Sequence, residues 1–277
     1  MYKLLFVSTP VGPLGSGIGG GVELSLKNIA YETIRRGHQV EVVAPAGSQL
    51  PNIPIAQIPG NPQIPAQTQT RDVPVSMPEN TVLGNMWEYV RSVESEWDLI
   101  VNFGFDWLPF YLTPFLDRPI AHFISMGSLS EALDSIMARI ADRFPGSIGV
   151  YTKSQADTFP FASACRILSS AIDLSLYNFV ATPGDSIVWL GRIAPEKALE
   201  DAVAASQITG IPLKIFGKIQ DEAYWAKIQA DFPDAPFEYG GFVSTKDLQQ
   251  ELGRCRALLM TPRWIEAFGN VAIESLA

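Results

Sequence analysis

Apolar positions along this chain fall into two rhythms that alternate. Residues 2–8 form a short continuous apolar run, and over residues 21–36 Val22, Leu24, Leu26, Ile29, Ala30 and Ile34 recur at helical spacing. Residues 39–44 return to β-branched side chains, so strand, helix and strand predict a parallel βαβ unit. Over residues 45–78 prolines recur every few positions, as in PNIPIAQIPGNPQIP. Proline lacks an amide donor and clashes with a preceding helical turn, so this stretch predicts a surface excursion without helix or central strand. Regular patterning resumes with a helix near 81–96, a strand over 98–103, an apolar segment at 119–125 and a helix near 129–143.

The second half repeats the grammar. Residues 169–186 (SSAIDLSLYNFVATPGDS) read as a crossover. Strands at 186–190, 212–216, 237–239 and 257–261 then alternate with helices at 195–206, 221–231 and 245–255. The expected fold class is α/β with two Rossmann-like domains, residues 1–170 and residues 171–277, the latter comprising a linker and a partial domain. The last residues, RWIEAFGNVAIESLA, predict an N-cap at Asn270 and a helix carrying Val271, Ile273 and Leu276, with no stop signal before Ala277. That helix, and the sheet it serves, are expected to continue in a longer chain.

Composition narrows the function classes. The chain has 277 residues and 47% hydrophobic content, ample for two cores. A net charge of −9 argues against nucleic acid as the main partner, because such binding rests on clustered Lys and Arg. The opening apolar run is too short for a secretory signal and leads into glycines. No run is long enough for a bilayer span, and peripheral membrane contact is possible but not indicated. Two cysteines, Cys165 and Cys255, make no framework of disulfides or zinc ligands, which fits a cytoplasmic protein. No cluster with metal-ligand spacing appears, so no metal and no cofactor are expected.

Three loops carry candidate chemistry. GSGIGGG, residues 15–21, is a formal G-x-G-x-x-G between a strand and a helix, with Glu41 about twenty residues on. The strand ends near Ser8, too early for a dinucleotide fingerprint, and Glu41 lies early in its own strand. The loop therefore reads either as a turn without ligand or as a place where Gly20 and Gly21 let backbone N–H groups approach an anion or a sugar. Arg192 and Lys197, in GRIAPEK, follow a strand and precede a helix, the edge where open α/β sheets bind ligands. They suit the charge of a departing diphosphate, against the alternative of solvated loop charges beside Glu196 and Glu200. Glu266 and Glu274 flank the turn Phe268-Gly269-Asn270. As acceptors they suit the hydroxyls of a nucleotide sugar, with the Gly269 and Asn270 amides meeting phosphate. Alternatives are a glycosidase acid–base pair or helix-surface carboxylates.

Taken in order and spacing, GGGVELSLKNIAYETIRRGHQVEVVAP, GRIAPEK, YGGFV and EAFGNVAIESLA resemble the GT-B retaining glycosyltransferases of family GT4, the group 1 type. The resemblance spans nearly the whole chain and is most specific in the E-x7-E element. It implies two Rossmann-like domains facing a cleft, with the nucleotide-sugar donor held mainly by the second domain and a hydroxyl acceptor mainly by the first. It further implies Arg192 and Lys197 at the donor phosphates, Glu266 at the transferred sugar and Phe268, Gly269 and Asn270 as its backbone cradle. Glu274 would bind the ribose, and Gly20 and Gly21 would lie at the loop approaching donor phosphate and acceptor. The acceptor would be a saccharide, a lipid-linked glycan or a small metabolite. There are two departures. Ala198 replaces a glycine that commonly follows the lysine, and His122, where the family places a catalytic histidine, lies displaced toward the strand interior and reads as a core residue. The rival functions are a nucleotide-sugar-binding remnant without turnover and a carboxylate-based glycosidase or phosphorylase.

Overall fold

The computed structural model describes residues 1–277, which divide into two compact units, Met1–Ser170 and Ala171–Ala277. In the first, β1 (Lys3–Val7), α1 (Gly21–Arg35), β2 (Gln39–Pro45) and β3 (Ile55–Ile58) are followed by α2 (Val82–Val93), β4 (Leu99–Asn102), α3 (Trp107–Leu112) and β5 (Ile120–Ile124). The unit closes with α4 (Glu131–Arg143), β6 (Ile148–Val150), α5 (Lys153–Ala156) and β7 (Arg166–Ile167). The seven strands form one parallel sheet in the order β3-β2-β1-β4-β5-β6-β7. A parallel sheet is covered on both faces, so its central strands are apolar throughout: Leu5, Phe6 and Val7 of β1 are all within 1% of full burial.

Helix α2 forms where residues 82–93 place Val82, Leu83, Met86, Trp87 and Val90 on one face, packed with Leu5, Val7 and Ile100. Thr81 caps it by accepting from the Leu83 amide, and burying each large apolar side chain contributes about 1.5–3 kcal/mol. A second cluster joins Leu133, Ile136, Met137 and Ile140 of α4 to Ile124, Ile148 and Val150.

The proline-rich excursion contains a strand after all. β3 pairs in parallel with β2 from Val42↔Ile55 to Pro45↔Ile58, at the edge of the sheet. Pro54 and Pro59 bound it rather than interrupt it, and an edge strand tolerates a missing donor.

The second unit holds β8 (Ile187–Leu190), α6 (Leu199–Thr209), β9 (Leu213–Phe216), α7 (Glu222–Asp231), β10 (Phe237–Gly241), α8 (Thr245–Gly253), β11 (Ala257–Leu258) and α9 (Asn270–Leu276). Its four strands are parallel in the order β10-β9-β8-β11. One face packs on α6 and α7 through Leu199, Val203, Trp225 and Ile228; the other packs Val188 and Phe216 on Leu248 and Leu252 of α8. No helix of the protein is long and apolar enough to cross a membrane.

Two local expectations are corrected here. The helix expected over 195–206 begins as a 3-10 turn, Pro195–Lys197, and restarts as α6 after Ala198, which is fully buried at φ 47° and ψ 53°. That left-handed conformation costs an alanine about 1–2 kcal/mol and a glycine nothing, which gives the glycine-to-alanine departure a physical meaning. At α9 the N-cap is Gly269, at φ 82°, and Asn270 is the first helical residue. A positive φ at the cap suits glycine better than asparagine.

Candidate functional site

In each sheet the chain runs outward from a first strand and then returns to that strand's other side. Ligands of open α/β sheets bind outside the carboxyl ends of the strands at such a switch point. In the second unit this point lies between β8 and β11, and it gathers Arg192, Lys197 and Glu266.

The loops are built to meet there. The Ile193 amide donates to Lys218 O at 2.9 Å and the Gln220 amide to Ile193 O at 3.2 Å, so the loops after β8 and β9 zip together. Close approach requires glycine: Gly217 sits at φ 138°, and a Cβ there would collide with the carbonyl of Gly191. Zipping brings Gln220 to Arg192, whose Nη1 donates to Gln220 Oε1, while Arg192 Nη2 lies 3.1 Å from Glu196 Oε1. The β11 side is stapled by Thr261. Its hydroxyl donates to Ala198 O at 2.8 Å and accepts from Trp189 Nε1 at 3.1 Å, and the Arg263 amide donates to Glu196 O at 3.0 Å.

These tethers set Glu266 against Lys197, and the two form an ion pair through Nζ and Oε1. Their side chains are 22% and 18% exposed, and that of Arg192 is 15% exposed, so the pair is only partly screened by water. Burial depresses the pKa values of both Lys197 and Arg192, opposed by the carboxylates beside them, chiefly Glu266 for Lys197 and Glu196 for Arg192. Two cations and two anions therefore neutralise one another. Trp264 completes the cluster: its ring centre lies 4.8 Å from Lys197 Nζ and 5.9 Å from Arg192 Cζ, and its Nε1–H donates to Glu266 Oε1 at 2.9 Å. Farther along, Glu274 on α9 accepts from the Tyr177 hydroxyl at 3.2 Å, and burial raises its pKa and that of Tyr177.

The sequence pointed to Arg192, Lys197 and Glu266, and the fold brings these three together. Phe268 and Gly269 form the turn leading from Glu266 into α9, on which Asn270 and Glu274 lie. Trp264, Gln220 and Tyr177 were not singled out, although a tryptophan two residues before a candidate glutamate in a post-strand loop was a readable signal.

In the first unit the glycine-rich loop closes on a carboxylate of its own helix. The amides of Gly15 and Gly19 donate to the Glu23 carboxylate at 2.8 and 2.7 Å, and that of Gly17 lies 3.4 Å from it. The Gly20 amide donates to Gly17 O at 3.2 Å, at the N-cap of α1, and Gly21 opens the helix. An anion does occupy this cradle, and it belongs to the chain itself.

His122 is 1% exposed within β5. Thr113 Oγ1 donates to Pro109 O and so accepts from His122 Nε2–H at 2.9 Å, leaving Nδ1 to accept from Asn102 Nδ2 at 3.1 Å. Burial pushes its pKa down to about 3, so the ring is neutral and both nitrogens are engaged. His122 is a core residue hydrogen-bonded on both sides, as its place in the strand interior led one to expect.

The sequence matches no family model and no curated protein. Solved structures do match. A sucrose-phosphate synthase from Thermosynechococcus elongatus superposes with a TM-score of 0.75 at 14% identity, over 100% of this chain and 79% of that one. AviGT4, a glycosyltransferase involved in avilamycin A biosynthesis, gives 0.67 at 14% identity over 99% and 76%. The trehalose-6-phosphate synthase OtsA gives 0.65 at 12% identity over 99% and 81%. The fold is that of the GT-B glycosyltransferases, with Rossmann-like α/β units.

Proposed function

We propose that this chain is a glycosyltransferase of the GT4 type, moving a sugar from a nucleoside diphosphate donor to a hydroxyl acceptor with retention of anomeric configuration. The observation that carries the reading is the cluster of Arg192, Lys197 and Glu266 at the switch point of the second sheet. Arg192 and Lys197 would stabilise the negative charge that develops on the departing diphosphate, where partial burial makes each charge worth more than in water. Glu266 would accept hydroxyls of the transferred sugar and Glu274 those of the ribose, with the amides of Phe268, Gly269 and Asn270 beside the phosphates. Gly20 and Gly21 would lie at the donor phosphate and acceptor. No metal or cofactor is needed if the two cations supply the charge. Retention is supported by the likeness to a trehalose-6-phosphate synthase described for glycosyl transfer with retention. The two free cysteines agree with a reducing cytoplasm.

The test is to incubate the 277-residue chain with UDP-, GDP- and ADP-linked hexoses and a panel of saccharide acceptors, and to read nucleoside diphosphate release and product anomer by NMR. Release with an axial-for-axial product supports the reading. Binding without release would make the chain a nucleotide-sugar-binding remnant. Cleavage of aryl glycosides without nucleotide would make it a glycosidase; the Lys197 and Trp264 donors on Glu266 argue for an anionic acceptor there instead of a proton donor.

A further inference from the structure

Trp264 touches Arg192, Lys197 and Glu266, and it does so with two different parts of its ring. The face carries the cations: Lys197 Nζ lies 4.8 Å and Arg192 Cζ 5.9 Å from its centroid, both inside the roughly 6 Å reach of a cation–π attraction. The edge carries the anion, through Nε1–H donated to Glu266 Oε1 at 2.9 Å. An indole is the one natural side chain that offers both a strong π face and a donor without an acceptor. Phenylalanine has only the face, and an aliphatic side chain has neither.

We propose that Trp264 is a positioning residue that couples the diphosphate half of the donor site to its sugar half, an inference that rests on the glycosyltransferase reading above. Without ligand, Glu266 is held by Lys197 and by the indole. A diphosphate competes for Lys197, because two phosphate groups outweigh one carboxylate. Glu266 then loses its cation and would swing freely, were the indole N–H not still bonded to Oε1. A neutral donor fixes the carboxylate without cancelling its charge, and Oε2 keeps its lone pairs for a sugar hydroxyl. Meanwhile the π face keeps the two cations side by side despite their mutual repulsion, ready for adjacent phosphates. No covalent step is assigned to Trp264. It sets the rotamers of the groups that do touch the donor.

Two substitutions separate the edge from the face. Trp264→Phe removes the N–H and keeps a π face; Trp264→Leu removes both. Inorganic pyrophosphate, UDP and GDP report the cation pair by calorimetry, and the rate of nucleoside diphosphate release from the matching sugar nucleotide reports the sugar half. Trp264→Phe is expected to leave pyrophosphate and nucleoside diphosphate affinities within about twofold and to lower release about tenfold, as for loss of a hydrogen bond to a charged group. Trp264→Leu is expected to lower the affinities as well, about fivefold. A melting curve for each variant removes misfolded protein from the comparison. Equal losses of affinity in both variants would reduce Trp264 to packing, and unchanged release in Trp264→Phe would remove the edge contact; either outcome overturns the proposal. If the unsubstituted chain binds nucleoside diphosphate but releases none from any donor, the function reading fails while the affinity arm still judges the ring face. If it binds neither pyrophosphate nor nucleotide, both fall.

Discussion

Lys197 and Glu266 form an ion pair across 69 residues of sequence, one placed by the loop after β8 and the other by the loop after β11. Each partner is mostly buried, so removing one leaves the other uncompensated.

Lys197→Ala and Glu266→Ala should each lower the stability of the chain by about 1–3 kcal/mol, less than a fully buried pair because some screening remains. The double variant should lose less than the sum of the two. Urea unfolding of all four proteins measures this, and additive losses would mean that the pair contributes nothing as a pair. In the same set, sugar transfer by Lys197→Ala should fall about 10²-fold or more, the usual effect of losing one preorganised electrostatic group.

On the proposed reading Arg192 and Lys197, each ion-paired in the cluster, would meet the diphosphate charge, so excess EDTA should leave sugar transfer unchanged. Loss of activity restored by added Mg²⁺ or Mn²⁺ would show that a metal shares that work.

Glu23 closes the glycine-rich loop from inside through the amides of Gly15 and Gly19. Glu23→Gln replaces one acceptor oxygen by a donor group that opposes those amides. Amide hydrogen exchange over residues 15–20 should rise at least tenfold in this variant, while strands β1 and β2 keep their protection. Unchanged exchange in the loop would mean that the cradle is held by its turns alone.

Two groups of the first unit, His122 and Asp106, titrate in opposition. His122 is held down to about 3 by burial, so between there and its ordinary value of 6.5 the unfolded chain binds a proton that the folded chain does not. Its contribution to stability is full above pH 6.5 and is lost as pH falls. Asp106, half-buried at the start of α3, is pushed up to about 7 by burial, with a hydrogen bond from Gln63 opposing. Its folded form keeps a proton between its ordinary value of 3.8 and about 7, so that contribution is full at low pH and is lost as pH rises. Each slope is at most about 1.4 kcal/mol per pH unit, and the Asp106 slope is the shallower because water reaches that side chain. Asp106→Asn should therefore make stability fall more steeply than in the parent as pH drops from 6.5 to 4. Parallel curves in urea unfolding at several pH values would show that Asp106 does not keep a proton in the folded state.

Much of this molecule was legible in its apolar periodicity, because parallel strands buried on both faces and amphipathic helices leave strong, local signatures. The βαβ opening, the alternation after residue 186, and the places of Arg192, Lys197 and Glu266 after strand ends all follow from sequence spacing alone. Short elements did not. The helix α3 and the strands β3, β6 and β7 have two to six residues each, too few for a period to show, and they are fixed by neighbours in the sheet.

What only the tertiary structure decided is which partner each polar group takes. Sequence marked His122 as a core residue and Glu266 as a candidate ligand without naming a partner for either, and it did not single out Glu23. The fold turns Glu23 back onto glycine amides, seals His122 between Asn102 and Thr113, and sets Glu266 against Lys197 and Trp264. The Lys197–Glu266 and Asn102–His122 contacts join residues 69 and 20 positions apart, and a hydrogen bond needs its partners within a few ångströms, a requirement no local pattern encodes. The hydrophobic effect, which follows area and period, writes the frame into the sequence; hydrogen bonds and ion pairs, which need particular distances and angles, are settled by where that frame places each group.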